Sequence, residues 1–310
     1  MGPSYRRQLK VFEEVGIEPY TTLIQACEKS LVFVASVPWI DQPRPVPPNV
    51  HYIGPTLSQS YESLSHELQQ FLDTHKRSIY IAFGSLTAVK PTEFDALVQS
   101  LSVAYHAGLI DGVVWGLMNT HAHELNAVTY TNYTAPQRAV LKHPSVKLFI
   151  SHCGLGSIHE AMEAGTPILG IPGFSDQPSN ALIIEAMNAG MRISWKDVGT
   201  SRMHSALEHI LGGHSAKEIE TTVTELKRLI NIFNRRIGYA ADLVEMMAVP
   251  GMLELIKPAD QRMPWWKANN LDLWVAIVTV LTLFSASVIY LGINLLARLV
   301  FTSPAKIKRL

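Results

Sequence analysis

Cysteine is nearly missing: the 310 residues hold only Cys27 and Cys153, far apart and in no CxxC pattern. Such spacing specifies neither a disulfide framework nor a zinc site, and it leaves the redox compartment unreadable. Charge is sparse as well. Lysine and arginine number 26, aspartate and glutamate 26, so the formal net charge is zero and charged residues make up 17% of the chain. With no basic stripe or acidic tail, nucleic acid is not expected as a partner. The N-terminal stretch MGPSYRRQLKVFEEVGIEPY carries charges where a signal peptide needs an apolar run of roughly 7 to 15 residues, so no entry signal is expected there. Internal repeats are absent, and so is low complexity beyond one proline-rich stretch. His121 and His123 stand two apart with no Asp, Cys or third His at ligand spacing, so no metal is expected.

What is present is an alternation of strand-like and helix-like segments. Residues 31–35 (LVFVA) read as a first strand, and residues 42–48 (QPRPVPP) can continue neither a helix nor a central strand, which marks a linker. Residues 78–83 (SIYIAF) stop at Gly84, and residues 146–150 (VKLFI) stop at Ser151-His152-Cys153-Gly154. Both read as buried strands. Segments of helical length fall at 92–106, 157–164 and 180–189. Strands alternating with helices predict an α/β domain, a parallel sheet with helices on both faces. Residues 215–235 space Ile219, Val223, Leu226, Leu229, Ile230 and Phe233 at three and four, an amphipathic packing helix. Trp115, Trp195 and the pair Met246-Met247 read as packing residues.

Near the end of the chain the composition changes. Residues 273–296 carry no charge. At about 1.5 Å per residue they reach roughly 36 Å, against a hydrocarbon core of about 30 Å. A transmembrane helix is expected, and membrane lipid with it. Trp265, Trp266 and Trp274 sit at its first edge as interfacial anchors, while Arg298, Lys306, Lys308 and Arg309 follow it and place the tail in the cytosol. Lysines third and fifth from the end, in KIKRL, resemble the Lys-x-Lys-x-x signal that returns proteins to the endoplasmic reticulum.

The segment richest in chemistry runs from Tyr133 to Gln177. There the strand VKLFI enters a turn with Gly154 and Gly156, after which a helix is expected to open at Ser157. A strand, a glycine-bearing turn and a helix N-terminus make an anion site, because unpaired N–H groups and the positive end of the helix dipole converge. In open α/β sheets that place is the carboxyl end of the strands. Yet Ser157-Ile158-His159-Glu160 also reads as an S-x-x-E capping box, present for helix stability alone. Spacing by itself leaves both readings open.

Residues 134–177 resemble the signature box of the UDP-glycosyltransferase family, whose plant form begins Trp-Ala-Pro-Gln, contains His-Cys-Gly-Trp-Asn-Ser and closes with Asp-Gln. Ala135, Pro136, Gln137, His152, Cys153, Gly154, Ser157, Glu160, Asp176 and Gln177 fall in register with it. The similarity extends outward to residues 80–85 (YIAFGS), 47–55 (PPNVHYIGP) and 263–274. It implies a two-domain GT-B fold, of which this chain carries the Rossmann-like C-terminal, donor-binding half and an anchor. Residues 1–41 would then be a remnant of the N-terminal acceptor domain and 42–55 the linker. Residues 56–262 would be the nucleotide-sugar-binding α/β domain, 263–272 a juxtamembrane segment, 273–296 the transmembrane helix and 297–310 a basic cytosolic tail. The α/β domain would lie in the lumen of the endoplasmic reticulum.

The implied activity is transfer of a hexose from a UDP-sugar, a co-substrate, to a lipophilic hydroxyl acceptor, with no metal and no other cofactor. An alternative is a non-catalytic donor-binding membrane subunit that needs a separate acceptor-domain chain; a homo-oligomer is the other possible assembly. By the resemblance, His152 donates a hydrogen bond to the diphosphate, Gly154 allows close backbone approach, Gly156 belongs to the donor-binding set although it and Leu155 replace the plant Asn and Trp, and Ser157 offers a hydroxyl and an N–H. Glu160 accepts from the two ribose hydroxyls, Asp176 and Gln177 hold the sugar, Gln137 contacts the uracil edge, and Ser85 lies near the phosphates from the opposite turn. Two departures stand out. Thr134, preceded by Tyr133, occupies the place of the tryptophan that stacks on uracil. The family's general base, a histidine supported by an aspartate in the acceptor domain, has no counterpart here, so no catalytic residue is assigned and the chain is expected to bind donor without completing catalysis.

Overall fold

A computed structural model describes residues 3–16, 20, 22–28, 30–40, 45–85, 87, 89–116, 129–132 and 135–301. By its internal contacts the chain divides into two units, Phe33–Pro45 with Val50–Ala248, and Met1–Val32 with Val46–Asn49 and Val249–Leu310. In chain order the first elements are α1 (Pro3–Glu14), α2 (Leu23–Glu28), β1 (Val32–Val34), β2 (Val50–Tyr52), α3 (His66–Thr74), β3 (Ser78–Ala82), α4 (Pro91–His106), β4 (Gly112–Gly116) and β5 (Thr129–Asn132). There follow α5 (Gln137–Lys142), β6 (Val146–Ser151), α6 (Leu155–Ala164), β7 (Ile168–Gly170), α7 (Gln177–Ala186), β8 (Gly190–Arg192), α8 (Ser201–Leu211), α9 (Gly213–Asn234) and α10 (Ile237–Met246). Last come α11 (Met252–Ile256), α12 (Trp265–Ala268) and α13 (Leu271–Phe301).

The larger unit is built on a six-stranded sheet of order β5-β4-β3-β6-β7-β8. Every strand pair in it is parallel. The alternation of strands and helices in the sequence predicts this arrangement, and the central strands show why. β3 is buried at each of its positions and β6 at all but Lys147. Strands covered by helices on both faces read as continuous apolar runs, not as alternating ones. Local signals start the helices: Ser65 caps α3 by accepting from the Leu68 N–H, Pro91 opens α4, and Thr200 caps α8 through the Arg202 N–H.

Boundaries shift by a few residues from those the sequence predicts. The first strand covers Val32–Val34 alone. The amphipathic helix begins at Gly213; it buries Ile219, Val223, Leu226 and Ile230, while Leu229 is 41% exposed and faces solvent. Within the proline-rich stretch, residues 42–44 lie outside the described residues, and Pro45–Pro48 have no helix or strand. Beyond them the chain is held along the end of α9. The Leu57 backbone exchanges two hydrogen bonds with the Asn234 amide, at 2.8 and 3.1 Å, and the Trp39 ring meets Phe233 edge-on at 4.9 Å.

In the smaller unit the Asn49 amide donates to the carbonyls of Cys27 and Ser30, at 2.7 and 2.8 Å. α13 is long and apolar enough, by length and composition, to cross a membrane, over Leu271–Leu299. It runs past the charge-free residues 273–296 at both ends, since Asp272 and Arg298 are helical too. The hydroxyls of Thr279, Thr282 and Ser287 and the amide of Asn294 bond back to carbonyls four residues earlier, at 2.7–2.9 Å. Polar side chains on an apolar helix are thereby satisfied within it.

Candidate functional site

β6 ends at Ser151 and the chain is already helical at Leu155, so the turn between them is tight. It closes because Cys153 takes a left-handed backbone, φ 63, which a residue with a Cβ adopts only when its surroundings enforce it. The enforcement comes from two hydrogen bonds. The Cys153 N–H donates to Ser151 Oγ at 3.1 Å, and its carbonyl accepts from Asn180 Nδ2 on α7 at 3.0 Å. The thiol is fully buried, and burial pushes it up to about 12, so Cys153 is a packing residue and not a nucleophile.

The helix does not open at Ser157. Gly154, extended at φ −63 and ψ 141, is the N-cap of α6, and Ser157 is the third helical residue. An S-x-x-E capping box needs its serine ahead of the first turn with non-helical backbone, so the box does not form here. Ser157 Oγ and Glu160 Oε2 instead share one partner, the Gln137 amide, at 3.2 and 2.6 Å. The first bond from one turn to the next runs from the Ile158 N–H to the Gly154 carbonyl, at 3.1 Å. The N–H groups of Leu155, Gly156 and Ser157 therefore precede the helical ladder and point outward. Gly156 has no atom among the described residues within 4 Å of where a Cβ would sit, so the first turn of α6 is open at that position.

His152 lies in a slot between two glycines. A Cβ on Gly84 would stand 2.8 Å from its Nε2, and one on Gly154 only 2.5 Å from it. Gly84 follows β3 with φ 70, so both the slot and the turn demand glycine there. His152 Nδ1 is buried and has no hydrogen-bond partner of good geometry among the described residues. Burial holds the imidazole below its usual pKa, against the backbone of Ala82 and then the charge of Asp176, so the ring is neutral near pH 7 and carries a single N–H. Glu160 is shifted the other way. Burial raises its carboxyl, and the Gln137 hydrogen bond and the Arg138 charge oppose that rise.

These groups surround a cavity of about 280 Å³ at the carboxyl ends of β3 and β6. Of the residues singled out in the sequence, Ser85, His152, Gly154, Gly156, Ser157 and Gln177 line it. Gln137 and Glu160 join it through Ser157. Asp176 is exposed and does not line the cavity; its carboxylate accepts from Asn180 Nδ2 at 2.7 Å. α7 begins at Gln177, ahead of the predicted 180, because Asp176 supplies a helical backbone at its N-cap and Pro178 fits the first turn. Gln177 is buried, and its Oε1 accepts from the Gly173 and Phe174 N–H groups at 2.9 and 3.2 Å.

Two contributors escape a reading of the sequence. Thr87 lines the cavity with its Oγ1 buried and without a partner among the described residues, but it sits in a loop where no periodicity points to it. Asn180 ties Cys153 to Asp176, and its one signal is its place four residues after Asp176 on a helix. Tyr133, Thr134, His121 and His123 lie outside the described residues. Among the described residues no three His, Cys, Asp or Glu side chains are grouped as metal ligands. Trp115 packs on Phe94 with ring centroids 4.8 Å apart, a core residue as expected.

Residues 5–286 match the family described as UDP-glucoronosyl and UDP-glucosyl transferase. The chain belongs to this family. Among curated family members, UDP-glycosyltransferase 1 of Phaeomoniella chlamydospora is 33% identical over 302 residues, covering 89% of this chain and 61% of the relative. UDP-glucuronosyltransferase 3A1 of Mus musculus is 25% identical over 257 residues, covering 80% and 47%. This family member thus spans about half to three fifths of the length of the relatives it matches. Among solved structures, the glycotransferase of kitacinnamycin superposes with a TM-score of 0.60 at 21% identity, over 78% of this chain and 60% of that one. Os79 from O. sativa in complex with UDP gives 0.55 at 19% identity, over 65% and 51%. These likenesses identify the fold as GT-B, with the parallel sheet and its helices as the Rossmann-like C-terminal domain.

Proposed function

We propose that this chain is the donor-binding half of a UDP-dependent hexosyltransferase that passes a sugar from a UDP-sugar to a lipophilic hydroxyl. The observation that carries the reading is the His152 ring, held in its glycine slot beside three outward N–H groups of α6. A diphosphate seated there receives the imidazole N–H, the helix N-terminus and the Ser157 hydroxyl, with Ser85 and Thr87 facing it from the turn after β3. As the bond between sugar and diphosphate breaks, the charge that grows on the leaving oxygen is stabilised by these same donors.

Glu160 accepts from both ribose hydroxyls, a task for a carboxylate with two acceptor oxygens, and Gln137, already bonded to it at 2.6 Å, presents its edge to uracil. Asp176 and Gln177 hold the hexose. Because the loop engages Gln177 Oε1, its amide nitrogen is the group left for a sugar hydroxyl. Acceptor binding, and the base that takes the acceptor's proton, are assigned to the part of the relatives' length that this chain does not span.

α13 is assigned as a single-pass anchor, with the α/β domain in the lumen of the endoplasmic reticulum and the basic tail in the cytosol. Support comes from the exposed Trp265, Trp266 and Trp274 at its start. Lys306 and Lys308 of the retrieval-like tail lie outside the described residues.

Calorimetry on the full chain in detergent micelles tests the donor assignment with UDP, UDP-glucose and UDP-glucuronate. Binding is expected, and Glu160→Ala is expected to weaken it by more than it lowers the stability of the fold, which loses one hydrogen bond between α5 and α6, worth about 1 kcal/mol. No heat from folded protein at millimolar UDP would overturn the assignment.

A further inference from the structure

One turn beyond Glu160 on α6 stands a second carboxylate, Glu163, only 5% exposed, for which the donor site has no use. Burial of such a group is costly without a partner. Arg138 on α5 supplies one in a forked arrangement, Nε to Oε2 at 3.1 Å and Nη2 to both oxygens at 2.8 and 2.9 Å, and Lys142 Nζ adds a contact at 2.9 Å. The guanidinium is fixed on its other sides too. Nη1 donates to the Ser58 carbonyl at 2.7 Å, and the Tyr61 ring lies 4.7 Å from the guanidinium carbon and 4.4 Å from Lys142 Nζ.

Arg138 immediately follows Gln137, the residue that bonds Glu160 and Ser157. The same two helices are therefore joined twice, once by an ion pair at Glu163 and once by an amide at Glu160. A cross-link alone does not need charge, because a buried ion pair can often be replaced by well-packed apolar side chains without loss. What the pair adds is a fixed cation beside two carboxylates that share a face of α6 one turn apart.

We propose that Arg138 is a positioning residue for ribose recognition: clamped by Glu163, Ser58 and Tyr61, it holds the Gln137–Glu160 pair in place and supplies the positive charge beside the Glu160 carboxylate. This rests on the assignment of Glu160 to the ribose. The groups facing Glu160 are Tyr80 from β3, Gln137 and Arg138 from α5, and Ser157 and Glu163 from α6, with Lys142 meeting Glu163. Burial chiefly, and then the Glu163 charge, work against ionisation of Glu160, while the Gln137 hydrogen bond and the Arg138 charge favour it. The Tyr80 phenol is pushed well up by burial and stays protonated, so it does not compete.

The test compares UDP with 2′-deoxy-UDP by calorimetry on the full chain in detergent micelles, between about pH 4.5 and 8. Wild type is expected to prefer UDP and to lose affinity at low pH as Glu160 takes a proton. Arg138→Gln removes the cation and is expected to move that acid limb up by roughly half to one pH unit and to shrink the preference for UDP severalfold. Glu163→Gln removes the like charge and is expected to move the limb down. Opposite shifts are the signature, because two halves of a merely structural cross-link would weaken binding alike at every pH. Arg138→Lys, which keeps the charge, is expected to keep the limb near its wild-type position.

Folded Arg138→Gln protein with the wild-type limb and preference would overturn the proposal, as would shifts of the same sign in the two glutamine variants. Should Arg138→Gln fail to fold, Glu163→Gln decides, and a limb that does not move down overturns it. Equal wild-type affinity for UDP and 2′-deoxy-UDP would instead remove the ribose assignment of Glu160 and this inference with it.

Discussion

Replacing Gly154 with alanine adds a single methyl group, and the structure shows where its cost falls. Gly154 has φ −63 and ψ 141, a conformation open to any L-residue, so the backbone is not strained. The new Cβ would stand 2.5 Å from His152 Nε2, 3.2 Å from Cε1 and 3.3 Å from Cδ2. Relaxed contacts between such atoms lie near 3.5 Å, so the ring has to retreat by about 1 Å. Retreat toward β3 carries the ring onto the Gly84 backbone, which it already lies close to, since a Cβ built there would stand 2.8 Å from the same nitrogen. The imidazole therefore swings out of the diphosphate position. A hydrogen bond to a charged group is worth about 1.5 to 3 kcal/mol, so UDP affinity is expected to fall roughly ten- to hundredfold. Stability is expected to fall by about 1 to 3 kcal/mol, from crowding and from the weaker N-cap.

Calorimetry with UDP and thermal unfolding, on the full chain in detergent micelles, measure both quantities. Gly156→Ala serves as the contrast: its Cβ meets nothing within 4 Å, and alanine within a helix is favoured over glycine by about 0.5 to 1 kcal/mol, so this variant is expected to gain stability. Combining Gly154→Ala with His152→Ala should cost no more affinity than His152→Ala alone. If Gly154→Ala costs as much affinity without the imidazole as with it, the methyl group acts on the ligand directly and the reasoning through the ring is refuted.

Asn180→Ala is expected to destabilise the fold by about 1 to 3 kcal/mol in equilibrium denaturation, because it leaves the buried Cys153 carbonyl without its 3.0 Å donor. It should also weaken a UDP-sugar more than UDP, since Asp176 loses its tether; unchanged stability would sink the argument. His159 is 3% exposed, and burial holds its imidazole down to about 4, from the ordinary 6.5. The unfolded chain takes that proton first, so stability is complete above about pH 6.5 and falls as pH drops toward 4, by on the order of 3 kcal/mol. Denaturant titrations at several pH values should show this slope in wild type and its loss in His159→Leu, and equal slopes would refute the assignment. With a cleavable signal peptide fused ahead of the chain and a glycosylation reporter, replacing Lys306 and Lys308 by serine should let the protein reach later compartments. Unchanged reticular retention would leave no role for the tail.

The sequence alone determined the class of fold and singled out the turn after β6. Uninterrupted apolar runs at residues 78–83 and 146–150 are what strands covered on both faces require, and a charge-free stretch of membrane-spanning length needs no partner to be recognised. Register with the family's signature box was enough to pick out His152, Gly154, Ser157 and Gln177, which line one cavity. Tertiary structure decided what those residues do to one another. Whether α6 opens at Gly154 or at Ser157 depends on whether Cys153 can hold a left-handed backbone, and that depends on Asn180 from a different helix. No local pattern encodes such a contact. The same holds for the slot that makes Gly84 and Gly154 neighbours of one imidazole, and for the Gln137 amide and Arg138 guanidinium that meet Glu160 and Glu163 across two helices. Local preferences select backbone conformations a few residues at a time, whereas a site of this kind is made of groups that become neighbours only once the sheet has brought β3, β6 and the helices after them to one edge.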